Sequence, residues 1–416
     1  MPTSPLKAGT PLWAVLGVAF INSLGTGVIV NGIYFLTGFD KVGNYAIGAA
    51  FGVAYIIAAF NASRVARTLR RLVPRLSSRA ILAIIMLTVG AICILPWLSG
   101  GGLHPWVFWV IGVTYGLVTG VMWPLIEGYV SGGRRGQRLR FATGQFNIWW
   151  AGAIVIAFVA MAPLIKDPFK REMVLAGLGA VHVLGILLLL AFKPEPGVAG
   201  EVDHEPHPEV YPRLLAIFRI QLPTSYMVMG ALSPFLPSAL STLGAPELLH
   251  TPIAATWLAT RVITFLAMER WHGWHGRWWV SIAGPTLTLA GFGACILSPV
   301  GGATTAGLAT LIAGLCVFGI GVGMIYTAAL YYAMEVGHEE VASGGTHEAL
   351  IGAGYLTGPL AGLSVALLVR QGTLAPSSFE PVKLGVVVAL CVLMGVVGGF
   401  TLSRQRAGLQ TGKSEP

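Results

Sequence analysis

Long unbroken apolar runs, separated by short polar segments, set the pattern of this chain. Twelve such runs fall at roughly 11–36, 43–63, 79–98, 105–131, 141–165, 172–192, 213–240, 251–269, 278–299, 304–333, 347–369 and 382–403. Each has about the 20 residues a helix needs to cross hydrocarbon. The runs are continuous rather than alternating, which argues against a β-barrel. Pro124, Pro223, Pro234, Pro237, Pro285 and Pro359 fall within runs and predict kinks. The segment KPEPGVAGEVDHEPHPEVYP at 193–212 is rich in proline and acids and has no apolar periodicity. It reads as a cytoplasmic linker between 1–192 and 213–416, six spans each. Its His204 and His207 lack the spacing of a zinc site. The predicted fold class is therefore an all-α membrane protein, about twelve transmembrane helices in two six-helix bundles.

Composition agrees with that pattern. The chain is 55% hydrophobic and only 10% charged, too little charge to cover a soluble surface of 416 residues. Its 55 glycines suit helices that must approach closely where lipid gives no drive for association. The net charge of +9 does not signal nucleic acid, because the basic residues sit in loops. With the N-terminus placed in the cytoplasm, 19 of the 26 Lys and Arg residues fall on that side. Lys41, Lys166, Lys170, Arg171, Arg370 and Lys383 fall on the other, and Arg261 lies within a span. This bias predicts both termini inside. MPTSPLKAGTP leads directly into a long run, so no separate signal peptide is expected. Cys93, Cys295, Cys316 and Cys391 lie in apolar runs and read as small packing residues.

The two halves also echo each other in sequence. The fourth span ends WPLIEGYVSGG and the tenth YYAMEVGHEEVASGG. With Glu127 and Glu335 equated, Gly144 and Gly352 each follow 17 residues later, and Tyr55 precedes Arg64 by nine as Arg261 precedes Arg270. Such matches suggest a parallel duplication. On these features the chain resembles the major facilitator superfamily over almost its whole length. The family's loop after the second span usually carries an acid-Arg pair. Here NASRVARTLRRL at 61–72 has Ser63 in place of the acid, while MERWHGWHGR at 268–277 keeps Glu269-Arg270. GQFNIWW at 144–150 and HEALIGAGYLTGPLAG at 347–362 are similar to segments of bacterial members whose substrates are unassigned. The resemblance implies two bundles alternating around a central cavity. With it go the expectations of a monomer in a bacterial cytoplasmic membrane, a small-molecule solute as partner, protons as candidate coupling ions, and no cofactor or metal.

Ionisable residues inside spans are costly and mark candidate sites. Arg261 stays charged and grips carboxylate or phosphate with a planar fork. It reads either as an anion-binding or coupling residue or as a structural partner of a backbone carbonyl or nearby acid. Glu127 and Glu335, at span ends, are expected to pair with loop arginines, Arg64 or Arg134 for Glu127 and Arg270 for Glu335, as a gate with Glu269 nearby. The alternative is that they carry protons. Spans that line the path in the superfamily offer Asn22, Thr26, Tyr115, Thr119, Trp123, Tyr226, Tyr326 and Tyr331, and the fifth span adds Asn147 and Trp150. Tyr115, Thr119 and Trp123 follow at i, i+4 spacing, one helix face. Aromatic walls with a few amides and hydroxyls suit organic solutes; each of these residues could equally serve helix packing. His347-Glu348 reads as an N-terminal cap of the eleventh span. With no GxxxxGK[ST] segment for ATP, the leading reading is a gradient-driven secondary transporter. The other readings are a membrane-embedded enzyme, for which no compact constellation stands out, and a non-transporting sensor or assembly protein.

Overall fold

The computed structural model describes residues 9–99, 104–134, 136–165, 167–197, 208–336 and 340–411, and among them all regular structure is helical. Lys7, Arg135, Lys166, His204, His207 and Lys413 lie outside the described residues, as do the side chains of Arg404 and Arg406.

Twelve principal helices follow the predicted runs: α1 Leu12–Gly25, α2 Lys41–Leu72, α3 Ser78–Cys93, α4 Pro105–Ser131, α5 Gly136–Met161, α6 Pro168–Gly185, α7 Val210–Leu232, α8 Thr256–Arg270, α9 Trp279–Leu297, α10 Thr305–Val336, α11 Glu340–Arg370 and α12 Phe379–Thr411. Among the described residues, eleven stretches are long and apolar enough to cross a membrane, and the protein is an integral, multi-pass membrane protein. The exception is α3, which has 16 residues. Pro96, which cannot donate a backbone hydrogen bond, opens a separate turn at Leu95–Leu98. Side-chain caps fix several starts: Asp40 accepts from Gly43 N–H at 2.8 Å before α2, Ser77 from Ala80 N–H at 3.2 Å before α3, and Thr304 from Gly307 N–H at 2.9 Å before α10. Phe60, Leu190, Ile282 and Phe400 are more than 60% exposed, which only a lipid-facing surface tolerates in such numbers.

Within each half the helices pack on one another, α2 on α4 and α3 on α6 in the first, α9 on α10 and α8 on α10 in the second. The halves meet through α11 against α2 and α8 against α5. Close approach rests on glycine. A Cβ at Gly52 of α2 would strike the backbone of Tyr355 and Leu356, and one at Gly354 or Gly358 of α11 would strike the backbone of α7. Thus α11 is wedged between its own half and the other.

Both ends of this interface are closed by charge. At the end bearing the basic loops, Arg140 Nε lies 2.7 Å from Glu335 Oε1. At the opposite end Lys41 Nζ lies 3.1 Å from Glu380 Oε1. Lys383 refines the sequence reading, which counted it among the outer-side basic residues at the start of the twelfth run. It is fully buried, donating to the Tyr45 hydroxyl at 3.0 Å with its ammonium 3.5 Å from the Phe235 ring centroid. Tyr45 in turn donates to the Ala231 carbonyl at 3.0 Å. The aromatic rings replace the water that a buried ammonium otherwise needs.

Candidate functional site

Polar groups deep in an apolar bundle have to be held by one another. Here they converge between α1, α2, α4 and α5 of the first half and α7, α10 and α11 of the second. They line a cavity of about 40 Å³. The wall of α1 is its continuation Thr26–Asn31, a π-helical turn in which Gly32 N–H donates to the Gly27 carbonyl at 2.8 Å. Such wide turns recur at functional sites, and this one brings both Thr26 and Val30 to the cavity. The face of α4 supplies Thr119, Trp123 and Glu127 in successive i, i+4 steps. Phe146 and Trp150 come from α5, Phe51 and Tyr55 from α2, Tyr226 from α7, Tyr326 from α10, and Glu348, Ile351 and Tyr355 from α11. The rings meet edge to face, Phe51 with Tyr355 at 5.4 Å and Trp150 with Tyr326 at 5.4 Å between centroids.

Two acids from opposite halves meet at the cavity. The carboxyls of Glu127 and Glu348 are close neighbours, and Tyr55 donates its hydroxyl to Glu348 Oε2. Their oxygens and a ring nitrogen of His347 all lie within 4.8 Å of one another. That spacing would suit a cation or a shared proton. An ionised carboxylate only accepts hydrogen bonds, so any bond between the two acids needs a proton between them.

Arg261 of α8 is 2% exposed. Its guanidinium carbon lies 4.6 Å from the Trp150 ring centroid, 5.1 Å from Trp257 and 5.8 Å from Phe265. Its Nε is buried without a partner, and no acid among the described residues lies within ion-pair distance of it.

Of the residues singled out in the sequence, Thr26, Thr119, Trp123, Trp150, Tyr226 and Tyr326 line the cavity. Three stand just behind it. Tyr115 donates to the Asn22 carbonyl at 3.1 Å and lies 3.3 Å from the Thr26 hydroxyl. Asn147 accepts from Trp150 Nε1 at 3.3 Å. Tyr331 is elsewhere, at the basic end, stacked on His275 with centroids 4.2 Å apart. Burial, with His272 and Arg140 nearby, pushes the His275 ring down to about 4.

The expected gate pairs are rearranged. Arg134 does not reach Glu127: it lies past the end of α4 and donates to the unsatisfied carbonyls of Tyr129 and Val130 at 2.8 and 2.9 Å, and to Thr10 at 2.6 Å. Arg64, exposed, donates to Asn61 at 3.4 Å. Glu335 pairs with Arg140 across the halves rather than with Arg270, which is exposed. The Glu269 carboxylate rests over Gly144 of α5, where a Cβ would displace it. Nor does His347-Glu348 cap α11, since the helix begins at Glu340 and carries both into its interior. Sequence reasoning passed over Glu348 and Tyr355 as cavity residues. Their spacing from Gly352 on one helix face was the available signal.

No family model matches the chain, and no curated protein matches it. Solved structures do. A point mutant of the nucleoside transporter NupG superposes with a TM-score of 0.66 at 14% identity, covering 92% of this chain and 99% of that one. A bacterial homolog of the human lysosomal transporter Spinster gives 0.61 at 14% identity, with 94% and 96% covered. The human organic anion transporter MFSD10 (TETRAN) gives 0.60 at 14% identity, with 94% and 100% covered. The chain has the major facilitator fold.

Proposed function

We propose that this protein is a secondary transporter that carries a small organic solute by alternating access. Residues 1–192 and 213–416 are the moving bodies, and the basic end with both termini faces the cytoplasm. One observation carries the reading: a polar, aromatic cavity is built from both halves, and polar contacts cross between the halves towards either end. These are Arg140–Glu335 at one end and Lys41–Glu380 with Lys383–Tyr45 at the other. Breaking one set while the other holds would open the cavity to one side at a time, the kind of two-state change that packed interfaces support. Fold likeness to transporters supports it further. The neighbouring acids Glu127 and Glu348 supply a place for a coupling proton.

The test is solute exchange in proteoliposomes, combined with a tether across the outer end. In a variant carrying Lys41→Cys and Glu380→Cys on a background without the four native cysteines, a short bis-maleimide should stop exchange. Uncoupled protein should exchange normally. Undiminished exchange by fully bridged protein would overturn alternating access through this interface.

A further inference from the structure

We infer that the cavity takes a planar organic carboxylate together with one proton, the carboxylate answering Arg261 and the proton joining the Glu127–Glu348 pair. This deepens, and rests on, the transport reading.

The first observation is the unanswered charge. A guanidinium stays protonated in any protein environment, and burying it without a counter-ion is costly. Arg261 is buried, has no acid within ion-pair distance among the described residues, and leaves Nε unpartnered. It stands behind the cavity lining rather than in it, with the rings of Trp150, Trp257 and Phe265 over its guanidinium. The site is electrically incomplete on that side until an anion arrives. The rings of Trp150, Tyr226, Tyr326 and Tyr355 then favour a flat body behind the charged group.

The second observation is the acid pair, which sets the charge count. Around the acids stand Tyr55 from α2, Tyr226 from α7, Tyr326 from α10, and His347 and Tyr355 from α11, with Arg261 from α8 beyond Tyr226. The helix α5 contributes only Phe146 and Trp150 to the lining. With phenols and imidazole neutral, the pair sharing one proton carries a single negative charge and Arg261 a single positive one. An added monoanion leaves one negative charge uncompensated in a low-dielectric site, where that is expensive. A proton from solution, taken by the carboxylate oxygen of the pair, makes both acids neutral and restores the balance. When the solute leaves, the same O–H bond breaks and the proton leaves with it. A dianion such as a phosphate ester would require two protons, and the pair has room for one.

The test uses purified full-length protein and three probes with one ring and different charge: benzoate, benzamide and benzylamine. Binding is followed by calorimetry at several pH values. Benzoate should bind, with benzamide and benzylamine at least about 10-fold weaker. Between about pH 6 and about pH 8, benzoate affinity should fall by about tenfold per pH unit, with one proton taken up per anion. Arg261→Gln should lower benzoate affinity roughly 10- to 100-fold, and Arg261→Lys should recover part of it, which separates charge from folding. In Glu127→Gln combined with Glu348→Gln, proton uptake and pH dependence should vanish. The inference is overturned by tighter binding of the amide or amine, by benzoate binding without proton uptake, or by no benzoate binding to monodisperse protein. Because these are binding measurements, the two readings fail separately. Benzoate bound with a proton but never exchanged would sink the transport reading, whereas exchange of neutral solutes alone would sink only this one.

Discussion

Two contacts occupy the same place in the two halves of the repeat and are built from different charges. Glu335 follows Glu127, and Glu348 follows Arg140, by the same 208 residues. In one case α10 offers an acid to an arginine of α5, at 2.7 Å; in the other α4 offers an acid to an acid of α11. The register read from the sequence puts the two contacts at corresponding helix crossings, and one residue on the crossing helix decides what holds each of them. Arginine gives a pair that needs no proton. Glutamate gives one that forms only with a proton. Surroundings sharpen the contrast, since the Arg140 side chain is 54% exposed whereas Glu348 is 5% exposed. Water screens the first contact, while the second is felt by whatever occupies the cavity.

The largest expected effect comes from making the second contact like the first. Glu348→Arg should form a buried ion pair with Glu127, hold the halves together, and lower solute exchange roughly 10- to 100-fold. Pulse-labelled flux in proteoliposomes measures this. Exchange at the native rate with its native pH profile would break the comparison. A middle-sized effect concerns the crossings themselves. Gly52→Ala drives a methyl into the α11 backbone and should cost about 1–3 kcal/mol, read as a lower thermal midpoint. At the other crossing, Gly144→Ala meets only the movable end of Glu269, so stability should stay within about 1 kcal/mol of the native value. Equal losses would mean the two crossings are equally tight. The smallest effect is expected from Arg140→Glu, which copies the acid pair at an exposed site. Its stability loss at neutral pH should not exceed about 1 kcal/mol and should shrink with added salt.

Much of this site was legible along the chain because helical spacing is strict. Tyr115, Thr119 and Trp123 share a face, and one more step of four reaches Glu127. That step was missed because span-end acids were assigned to neighbouring arginines, whereas Arg134 is consumed by the end of its own helix. Arg261 was visible as the lone charge in an apolar run. Lys383 was not, because nothing in its local sequence shows that Tyr45, Phe235 and Phe379, far apart in the chain, close over it. Tyr331 shows the opposite error. It sits five residues beyond Tyr326, about 500° around the helix at 100° per residue, and so points to another neighbourhood. Helix count, linker and repeat depend on local composition and register. Which charges meet depends on contacts between distant residues.

The enclosure of Lys383 carries a consequence for the moment when that end opens. Its hydroxyl acceptor, Tyr45, belongs to the first half, while Phe235 and Phe379 belong to the second. Parting the halves there would uncover an ammonium at the mouth of a low-dielectric vestibule, where field lines concentrate. The lid that shuts the protein would then become, on opening, a lure for negatively charged molecules before they reach the interior.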